Sequence, residues 1–486
     1  MNKLLSLSFC VSCIPAIYAN NKVTNKPNVV FILVDDMGYT DLGCTGSSFY
    51  ETPHIDCLAA ESVSFQSAYA ACPVSSPSRA AIMTGKYPAR INLTDYIPGN
   101  QSFGINKNQK MLSLPFNLHL DKKEVTIAEA FLQNGYSTFF AGKWHLAESV
   151  NSESDFPTSF GFQVNKGGNY SGLPAGGYFS PYKNPQLPDG PKGEYITDRL
   201  TDEVIKFVKE KKESPFFVYL SYYAVHLPMQ AKQNDIEKYE RKRKMFDFQG
   251  EEFVKQGDTY FKMNQNMPIY AAMIESLDQN IGRLIQCLKD EGLDGNTIII
   301  FTSDNGGMAT SNRTDNIPTS NLPLRSGKGT LYEGGIRVPT FVRWKGVIQP
   351  RVIKETPIIG TDFYPTLLDL CQLPLLPKQH IDGVSFAPLL KGETFDRGPI
   401  FWHYPHYSGG LGGCPSAAVR QGNYKLIEFF EDKHVELYDV VNDKSEKTDL
   451  SGKKPRLMKR MKKQLYHWYR NVNAQMPIKN PYYESQ

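Results

Sequence analysis

The sequence lacks several features that would assign it to a specialised class of protein. Its formal net charge is only +4, and no basic run accompanies a nucleic-acid-binding motif, so a nucleic-acid partner is not expected. Beyond residue 19 there is no apolar stretch of about 18 residues, so a transmembrane segment is not expected either. Six of the eight cysteines lie beyond residue 19, without the close pairs typical of zinc sites. The remaining composition is typical of a globular protein.

The N-terminus has the pattern of an export signal. Lys3 supplies a positive charge, residues 4–16 are apolar, and Ala19 ends a stretch of small residues suited to cleavage. The apolar run is too short for a membrane span. We therefore expect an exported protein, located in the periplasm, at the cell surface or in the medium.

The hydrophobic pattern predicts an α/β fold with a large, mainly parallel sheet. Short apolar runs alternate with amphipathic helical stretches, which is typical of strands linked by helices. After about residue 376, short strands and a basic helix indicate a smaller α+β subdomain. The expected parts are thus a signal peptide (1–19), a large domain (20–375) and a C-terminal subdomain (376–486). Predicted strands cover 28–34, 137–141, 216–223, 297–302, 424–428 and 435–440, and predicted helices cover 125–134, 197–212, 268–290 and 455–472.

The stretch SSPSRAAIMTG predicts a helix with a defined start. Ser76 suits the N-cap, Pro77 suits the first turn, and Gly85 suits the end. Ser75 is then expected just outside the helix N-terminus, where free N–H groups and the helix dipole favour an anion. A capped structural helix would account for the same residues, so the stretch alone does not assign a function.

Polar residues follow four of the predicted strands. The strand ends are followed by Asp35 and Asp36, by GKWH, by AVHLP, and by SDNGG with Asp304 and Asn305. Ligands bind at the carboxyl ends of strands in open α/β sheets, so these groups are expected on one face. Three carboxylates and an amide suit Ca²⁺, with Mg²⁺ as the alternative, better than zinc. A turn or a cap would explain any one of these pairs taken alone.

Cationic and titratable residues are expected beside these ligands. His145 and His226 are candidates for general acid and base, although a lone histidine is more often a satisfied structural residue. Lys143 lies in GKWH and Lys328 in a glycine-rich stretch, where a solvated lysine is the ordinary interpretation. Such a site would receive a multiply charged oxyanion, as in sulfuryl or phosphoryl transfer.

These stretches together resemble the formylglycine-dependent sulfatases of the alkaline phosphatase superfamily. The resemblance covers nearly the whole chain after residue 19 and implies a sheet sandwiched by helices. It also implies that Ser75 is converted to Cα-formylglycine. The Ser-type signature resembles exported bacterial sulfatases matured by an anaerobic radical enzyme. The stretches are PNVVFILVDDMGYTDLGCTG, SSPSRAAIMTGKYP, GKWHL, AVHLP, SDNGG and GKGTLYEGGIRVP.

The resemblance implies a role for each site residue. The hydrated aldehyde at position 75 would attack sulfur, His226 or a neighbouring lysine would protonate the leaving alcohol, and His145 would deprotonate the second hydroxyl. Arg79 and Lys143 would hold the hydrate. Sulfate oxygens would be bound by Lys143 and Lys328. The ligands of Ca²⁺ would be Asp35, Asp36, Ser75, Asp304 and Asn305.

The expected substrate is a sulfated carbohydrate of host or algal glycans. Exo-action on galactose or N-acetylgalactosamine sulfate is the favoured interpretation, with N-acetylglucosamine 6-sulfate and uronate 2-sulfate as alternatives. The glycine- and tyrosine-rich loop 149–194 is expected to wall a sugar pocket. The candidate substrate-binding residues are His403, His406 and Arg325, although the two histidines would equally serve to pack the two domains together.

Two other functions remain open at this point. A phosphodiesterase or phosphonate hydrolase of the same superfamily would use the same fold, although the extra His and Asp ligands of two-zinc phosphatases are not evident. An exported glycan-binding protein without catalysis would also keep the fold, with Ser75 unmodified. A serine hydrolase is disfavoured because Ser75 lacks the G-x-S-x-G turn.

Overall fold

The computed structural model describes residues 26–484. The expected signal peptide, residues 1–19, lies outside the described residues. Among those described, no helix has both the length and the apolar character needed to cross a membrane. The six cysteines beyond residue 19 form no disulfide with one another.

The described chain alternates strands and helices. The α-helices are α1 (Pro53–Ala60), α2 (Ser75–Thr84), α3 (Ile127–Gln133), α4 (Ile196–Lys211), α5 (Gln233–Met245), α6 (Pro268–Asp290), α7 (Glu333–Ile336), α8 (Phe363–Leu370), α9 (Ala387–Lys391) and α10 (Pro455–Val472). The strands are β1 (Asn28–Val34), β2 (Val63–Phe65), β3 (Ala68–Tyr69), β4 (Met111–Leu112), β5 (Ser137–Gly142), β6 (Val164–Lys166), β7 (Phe216–Ser221), β8 (Phe253–Gln256), β9 (Thr259–Lys262), β10 (Thr297–Ser303), β11 (Thr310–Ser311), β12 (Thr340–Trp344), β13 (Arg351–Ile353), β14 (Ile358–Ile359), β15 (Ile400–Tyr404), β16 (Ser416–Gln421), β17 (Tyr424–Phe429), β18 (Val435–Asp439) and β19 (Ile478–Lys479).

An eight-stranded sheet forms the centre of the large domain. Its strand order is β13-β2-β12-β10-β1-β7-β5-β6. The run from β10 to β6 is parallel, with Asn28 opposite Thr297 and Val29 opposite Phe217. Only β12 is antiparallel to its neighbours β10 and β2. The prediction of a large, mainly parallel sheet is confirmed.

The central strand β1 is buried on both faces. Val30 and Ile32 lie in one hydrophobic core with side chains of α1, α4, α5 and α6. Val29 and Phe31 lie in a second core with side chains of α2, α3, α8 and α9. Because successive strand residues point to opposite faces, this alternation requires helices on both sides of the sheet.

The C-terminal part contains a four-stranded antiparallel sheet, β15-β16-β17-β18, covered by α10. Met461, Leu465 and Trp468 of α10 pack in a third core with residues of this sheet. The same core includes Val74 and Ala81 from the large domain. The smaller subdomain is therefore packed against the segment that begins α2.

The helix that begins near Ser75 differs from the prediction. The structure places Ser75 itself in the first turn of α2, with Val74 at the N-cap, so the assignment of Ser76 as N-cap is wrong. The Ser76 hydroxyl instead accepts a hydrogen bond from the backbone N–H of Ile97 at 3.1 Å. Gly85 ends the helix in the left-handed conformation, as predicted.

A substitution at Phe31 tests the two-sided burial of β1. Phe31 is fully buried, stacks on Tyr219 at 4.9 Å between ring centroids and meets Phe363 edge-on. We expect Phe31→Ala to lower the free energy of unfolding by about 3–5 kcal/mol, because it leaves a cavity in the core. Urea unfolding followed by circular dichroism measures this change. Phe103→Ala is the control, since Phe103 is exposed, and an equal loss in both variants would contradict the assignment.

Candidate active site

The carboxyl ends of adjacent parallel strands bring the predicted site residues together. β10, β1, β7 and β5 are neighbours in the sheet, and Asp304, Asp35 and Lys143 immediately follow three of them. These three side chains are buried. The sheet therefore assembles groups that are about 270 residues apart in sequence, as the backbone N–H of Asp36 shows by donating to Asp304 Oδ1 at 3.1 Å.

Ser75 lies at the centre of this cluster. Its Oγ is 3.3 Å from Asp35 Oδ1, 3.3 Å from Asn305 Oδ1 and 3.2 Å from Lys143 Nζ. Lys143 also donates to both oxygens of Asp35, at 2.9 and 2.8 Å. The first residue of α2 is thus held among groups from β1, β5 and β10, at the positive end of the helix dipole.

Arg79 anchors the cluster from the next turn of α2. Its Nε and Nη2 lie 2.9 and 2.8 Å from Asp304 Oδ2, and its Nη1 donates to the carbonyl of Lys143 and to Ser221 Oγ. Both nitrogens face the same carboxylate oxygen, and this charge-assisted contact holds the two buried side chains together. Arg79 therefore joins α2 to the ends of three strands.

Lys328 and Asn305 complete the surroundings of Asp36. Lys328 Nζ donates to Asp36 Oδ2 at 2.6 Å, and Asn305 Nδ2 donates to Asp36 Oδ1 at 2.7 Å. Burial opposes ionisation, but Lys328 and His226 hold the pKa of Asp36 well below its usual range. Asp36 is therefore ionised at neutral pH.

His226 lies between Lys328 and Asp36. Its Nε2 is 3.1 Å from Lys328 Nζ and 3.4 Å from Asp36 Oδ2, and its Nδ1 is 3.1 Å from the carbonyl of Leu227. Burial, and then the positive charge of Lys328, lower the pKa of His226 to about 3. The ring is consequently neutral at pH 7 when no anion is bound.

His145 is buried with one free ring nitrogen. Its Nε2 lies 2.8 Å from the carbonyl of Ile97, and its Nδ1 has no hydrogen-bond partner among the described residues. Burial, and then Lys143, lower the pKa of His145 well below its usual range. A side chain on Gly172 would collide with the ring, since a Cβ there would lie 2.6 Å from Cε1. His145 is thus a neutral, closely covered base.

The donor set fits a hard divalent cation. Asp35, Asp36 and His226 each offer an atom within 4.8 Å of the others. Burial, only partly offset by Lys143, raises the pKa of Asp35 to about 7, and the nearby Asp304 adds to the rise. The three carboxylates Asp35, Asp36 and Asp304 are paired with Lys143, Lys328 and Arg79, so burial rather than an excess of negative charge is the main cause of this rise. Carboxylate and amide oxygens of this kind suit Ca²⁺ or Mg²⁺.

The cluster opens into a cavity of about 550 Å³. Ser75, Lys143, His145, His226 and Lys328 lie along its wall. Part of the loop 149–194 also contributes, as the sequence predicted, but no pattern identified most of the other polar lining residues. The loop supplies Tyr170 and Ser171, and the other polar lining residues are Tyr96, Asn100, Glu148, Tyr404 and Ser408.

The three candidate substrate-binding residues are not brought into this cavity. His403 Nε2 bonds to the carbonyl of Gln475, in the C-terminal subdomain. His406 is buried beside the cavity wall, with its Nε2 2.9 Å from Thr94 Oγ1. Arg325 lines a separate cavity and stacks on Tyr332, with its guanidinium carbon 3.8 Å from the ring centroid.

Charges from the C-terminal sheet support the segment that carries Lys328. Lys425 Nζ is 2.7 Å from Glu333 Oε1, 2.8 Å from Glu446 Oε1 and 3.0 Å from the carbonyl of Leu331. The side chains of Lys425, Glu333 and Glu446 are fully buried. Buried charges are tolerated when they are paired in this way. The smaller subdomain thereby fixes the chain a few residues beyond Lys328.

Comparisons with known proteins agree in one family. The family model for sulfatases matches residues 27–373, and the model for the C-terminal part of N-sulphoglucosamine sulphohydrolase matches residues 327–471. A sulfatase of Formosa agariphila is 31% identical over 97% of this chain and 94% of its own length. N-acetylgalactosamine-6-sulfatase of Mus musculus is 30% identical, over 82% and 71%. The crystal structure of Ps i-CgsB in complex with k-i-k-neocarrahexaose is 30% identical, with a TM-score of 0.72 over 91% and 92% of the two chains.

Calcium binding tests the charge balance of the cluster. At a Ca²⁺ concentration 100 times the dissociation constant, a ligand specific for the folded state stabilises it by about 2.7 kcal/mol. We expect added CaCl₂ to raise the unfolding midpoint of the unsubstituted chain and to leave Asp36→Asn nearly unchanged, because that variant loses a buried carboxylate ligand. Asp121→Asn, at a half-buried position outside the cluster, should respond like the unsubstituted chain. Equal shifts in all three proteins would rule out Asp36 as a ligand.

Proposed function

The chain belongs to the sulfatase family, whose members hydrolyse sulfuric esters, and on this basis we propose that it is an exported carbohydrate sulfatase acting through formylglycine at Ser75. The observation that carries the proposal is the position of Ser75 Oγ. It lies within 3.3 Å of Asp35, Asn305 and Lys143, at a helix N-terminus that faces an open cavity.

An unmodified serine at this position is a weak nucleophile. The conversion to formylglycine, for which we infer an anaerobic radical-type maturation enzyme as partner, supplies a hydrated aldehyde with two hydroxyls on one carbon. Bound Ca²⁺, or Mg²⁺, would supply positive charge beside the reacting group and would be held by Asp35, Asp36, Asp304, Asn305 and the group at position 75.

The cations of the cavity bind and orient the sulfate group in this proposal. Lys143 and Lys328 both line the cavity and donate to anionic oxygens, so their ammonium groups suit sulfate oxygens. Arg79, held by Asp304 and Ser221, keeps the group at position 75 in place. The positions of these side chains are set by buried partners, which preorganises the site.

The two histidines move the protons. His226 is neutral without substrate, and we propose that the negative charge of bound sulfate favours its protonated form, so that Nε2 can protonate the leaving oxygen. His145 stays neutral because of burial and Lys143, and its unpaired Nδ1 is free to accept a proton. The two rings thus take the roles of acid and base.

A terminal sugar fits the shape of the cavity. A pocket of about 550 Å³ suits one or two sugar units better than a long polymer. We propose exo-action on galactose or N-acetylgalactosamine sulfate, supported by the similarity to N-acetylgalactosamine-6-sulfatase. The proposed location is the periplasm, the cell surface or the medium.

Peptide mass tests the modification. Oxidation of the Ser75 side chain to an aldehyde removes two hydrogens, so the peptide spanning Ser75 should be about 2 Da lighter in protein from the anaerobically grown native host. Tandem mass spectrometry locates the change. An unmodified peptide, from cells in which other Ser-type sulfatases are modified, would contradict the proposed chemistry and favour a binding protein.

Replacement of His226 tests the acid. We expect His226→Ala to lower kcat for a natural sugar sulfate by about 100- to 10,000-fold, because the leaving alkoxide would go unprotonated. Ion chromatography of released sulfate measures the rate. His119→Ala, an exposed histidine outside the cavity lining, is the matched control and should keep the unsubstituted rate. Near-normal turnover by His226→Ala would remove His226 from the mechanism.

A further inference from the structure

The cavity has an uneven distribution of charge. Its cationic and basic groups are Lys143, Lys328, His145 and His226, and all four surround the Ser75 cluster. Among the described lining residues, Glu148 is the one acidic side chain. It lies three residues beyond His145 and is exposed, which places it toward the mouth of the cavity.

The carboxylate of Glu148 has no partner among the described residues, whereas both cavity lysines are paired with carboxylates. Lys143 is paired with Asp35, and Lys328 with Asp36. Glu148 has neither a hydrogen bond nor an ion pair within residues 26–484. A ligand that enters the cavity therefore meets a free carboxylate outside the sulfate-binding end, and no free cation in the described lining.

The remaining walls of the cavity are neutral. Tyr96, Tyr170 and Tyr404 provide aromatic surface, and Leu173 and Leu411 provide aliphatic surface. Rings of this kind pack against the C–H faces of sugars while their hydroxyls make hydrogen bonds. Nothing in these walls would neutralise a second negative charge on a substrate.

The hydroxyls of two wall tyrosines already have partners. Tyr404 donates to Asp95 Oδ1 at 3.1 Å, and Tyr96 donates to Asn100 Oδ1 at 2.9 Å. These contacts hold the rings in place and use the O–H donors of both tyrosines, whose oxygens remain only as neutral acceptors. Glu148 is then the strongest acceptor available to a ligand, because an ionised carboxylate accepts from two neighbouring hydroxyls at once.

We propose that Glu148 is a specificity-determining residue that selects a neutral sugar carrying a single sulfate. Its carboxylate accepts hydrogen bonds from hydroxyls of the sulfated sugar and repels any substrate with a second anionic group, such as a uronate or a disulfated sugar. This inference rests on the proposed function and narrows its substrate class.

The test compares Glu148→Gln with the unsubstituted, matured enzyme. The probes are galactose and N-acetylgalactosamine with one sulfate at position 3, 4 or 6, and the disulfated form of the best of them. We expect Glu148→Gln to lower kcat/KM for the best monosulfated sugar by about tenfold, through loss of a charged hydrogen bond. It should also raise kcat/KM for the disulfated form by about threefold to tenfold, through loss of repulsion.

Two controls separate charge from shape. Glu153→Gln removes an exposed carboxylate outside the cavity lining and should leave both values unchanged. In the unsubstituted enzyme, raising the salt concentration from about 0.1 M to about 0.5 M should weaken the preference for the monosulfated over the disulfated sugar. In Glu148→Gln the same change in salt should have no such effect. A preference that persists in Glu148→Gln at every salt concentration is steric and overturns the inference.

Binding to the unmodified Ser75 chain gives a result that does not depend on turnover. Calorimetry with the same sugars should show tighter binding of the monosulfated form, lost in Glu148→Gln. If this preference is present but the matured enzyme releases no sulfate, the proposed function fails, and Glu148 determines sugar binding alone. If the unsubstituted chain binds both forms equally, or Glu148→Gln keeps the preference, the inference is wrong.

Discussion

Three buried carboxylates at the carboxyl edge of one sheet set the constraint on which this structure depends. Asp35, Asp36 and Asp304 are fully or nearly fully removed from water, and an uncompensated buried charge costs several kcal/mol. Each is neutralised by a cation from another part of the chain, namely Lys143, Lys328 and Arg79. These three ion pairs therefore hold α2, the end of β5 and the segment before α7 against the same cluster of carboxylates.

The same charge balance explains how the site can take up an anion. In the structure the lysines are occupied by Asp35 and Asp36, so little positive charge is left for a substrate. A divalent cation among the carboxylates would take over part of this pairing, and we expect Lys143 and Lys328 then to be available to sulfate oxygens. Metal binding and substrate binding would thus be coupled, because both change the ion pairs that the ammonium groups of Lys143 and Lys328 make.

The sequence predicted the residues at the strand ends, namely Asp35, Asp36, Lys143 and Asp304, far better than the residues of the cavity walls. We call these strand-end residues the floor of the site. The floor follows strands whose apolar runs, such as 28–34, are long and distinct, so the residues after them could be placed on one edge. The walls come from loops, such as those that carry Tyr96 and Glu148. A loop has no regular repeat of side-chain directions, so its sequence does not indicate which residues face the cavity. In β15 successive side chains point to opposite faces. Tyr404 faces the cavity, so the adjacent His403, which was predicted to bind substrate, points to the other side. The start of α2 lies two residues earlier than predicted, because several serines and prolines crowd that turn and offer more than one possible N-terminus.

The buried position of Lys425 has a consequence for the independence of the two parts. Lys425 pairs with Glu446 of its own subdomain and also with Glu333 of the large domain. Either part expressed alone would lose the buried ion pair between Lys425 and Glu333, which spans the boundary. The subdomain therefore does not act as an interchangeable module. Exchange of this sheet between relatives would require Glu333 and Lys425 to be exchanged together.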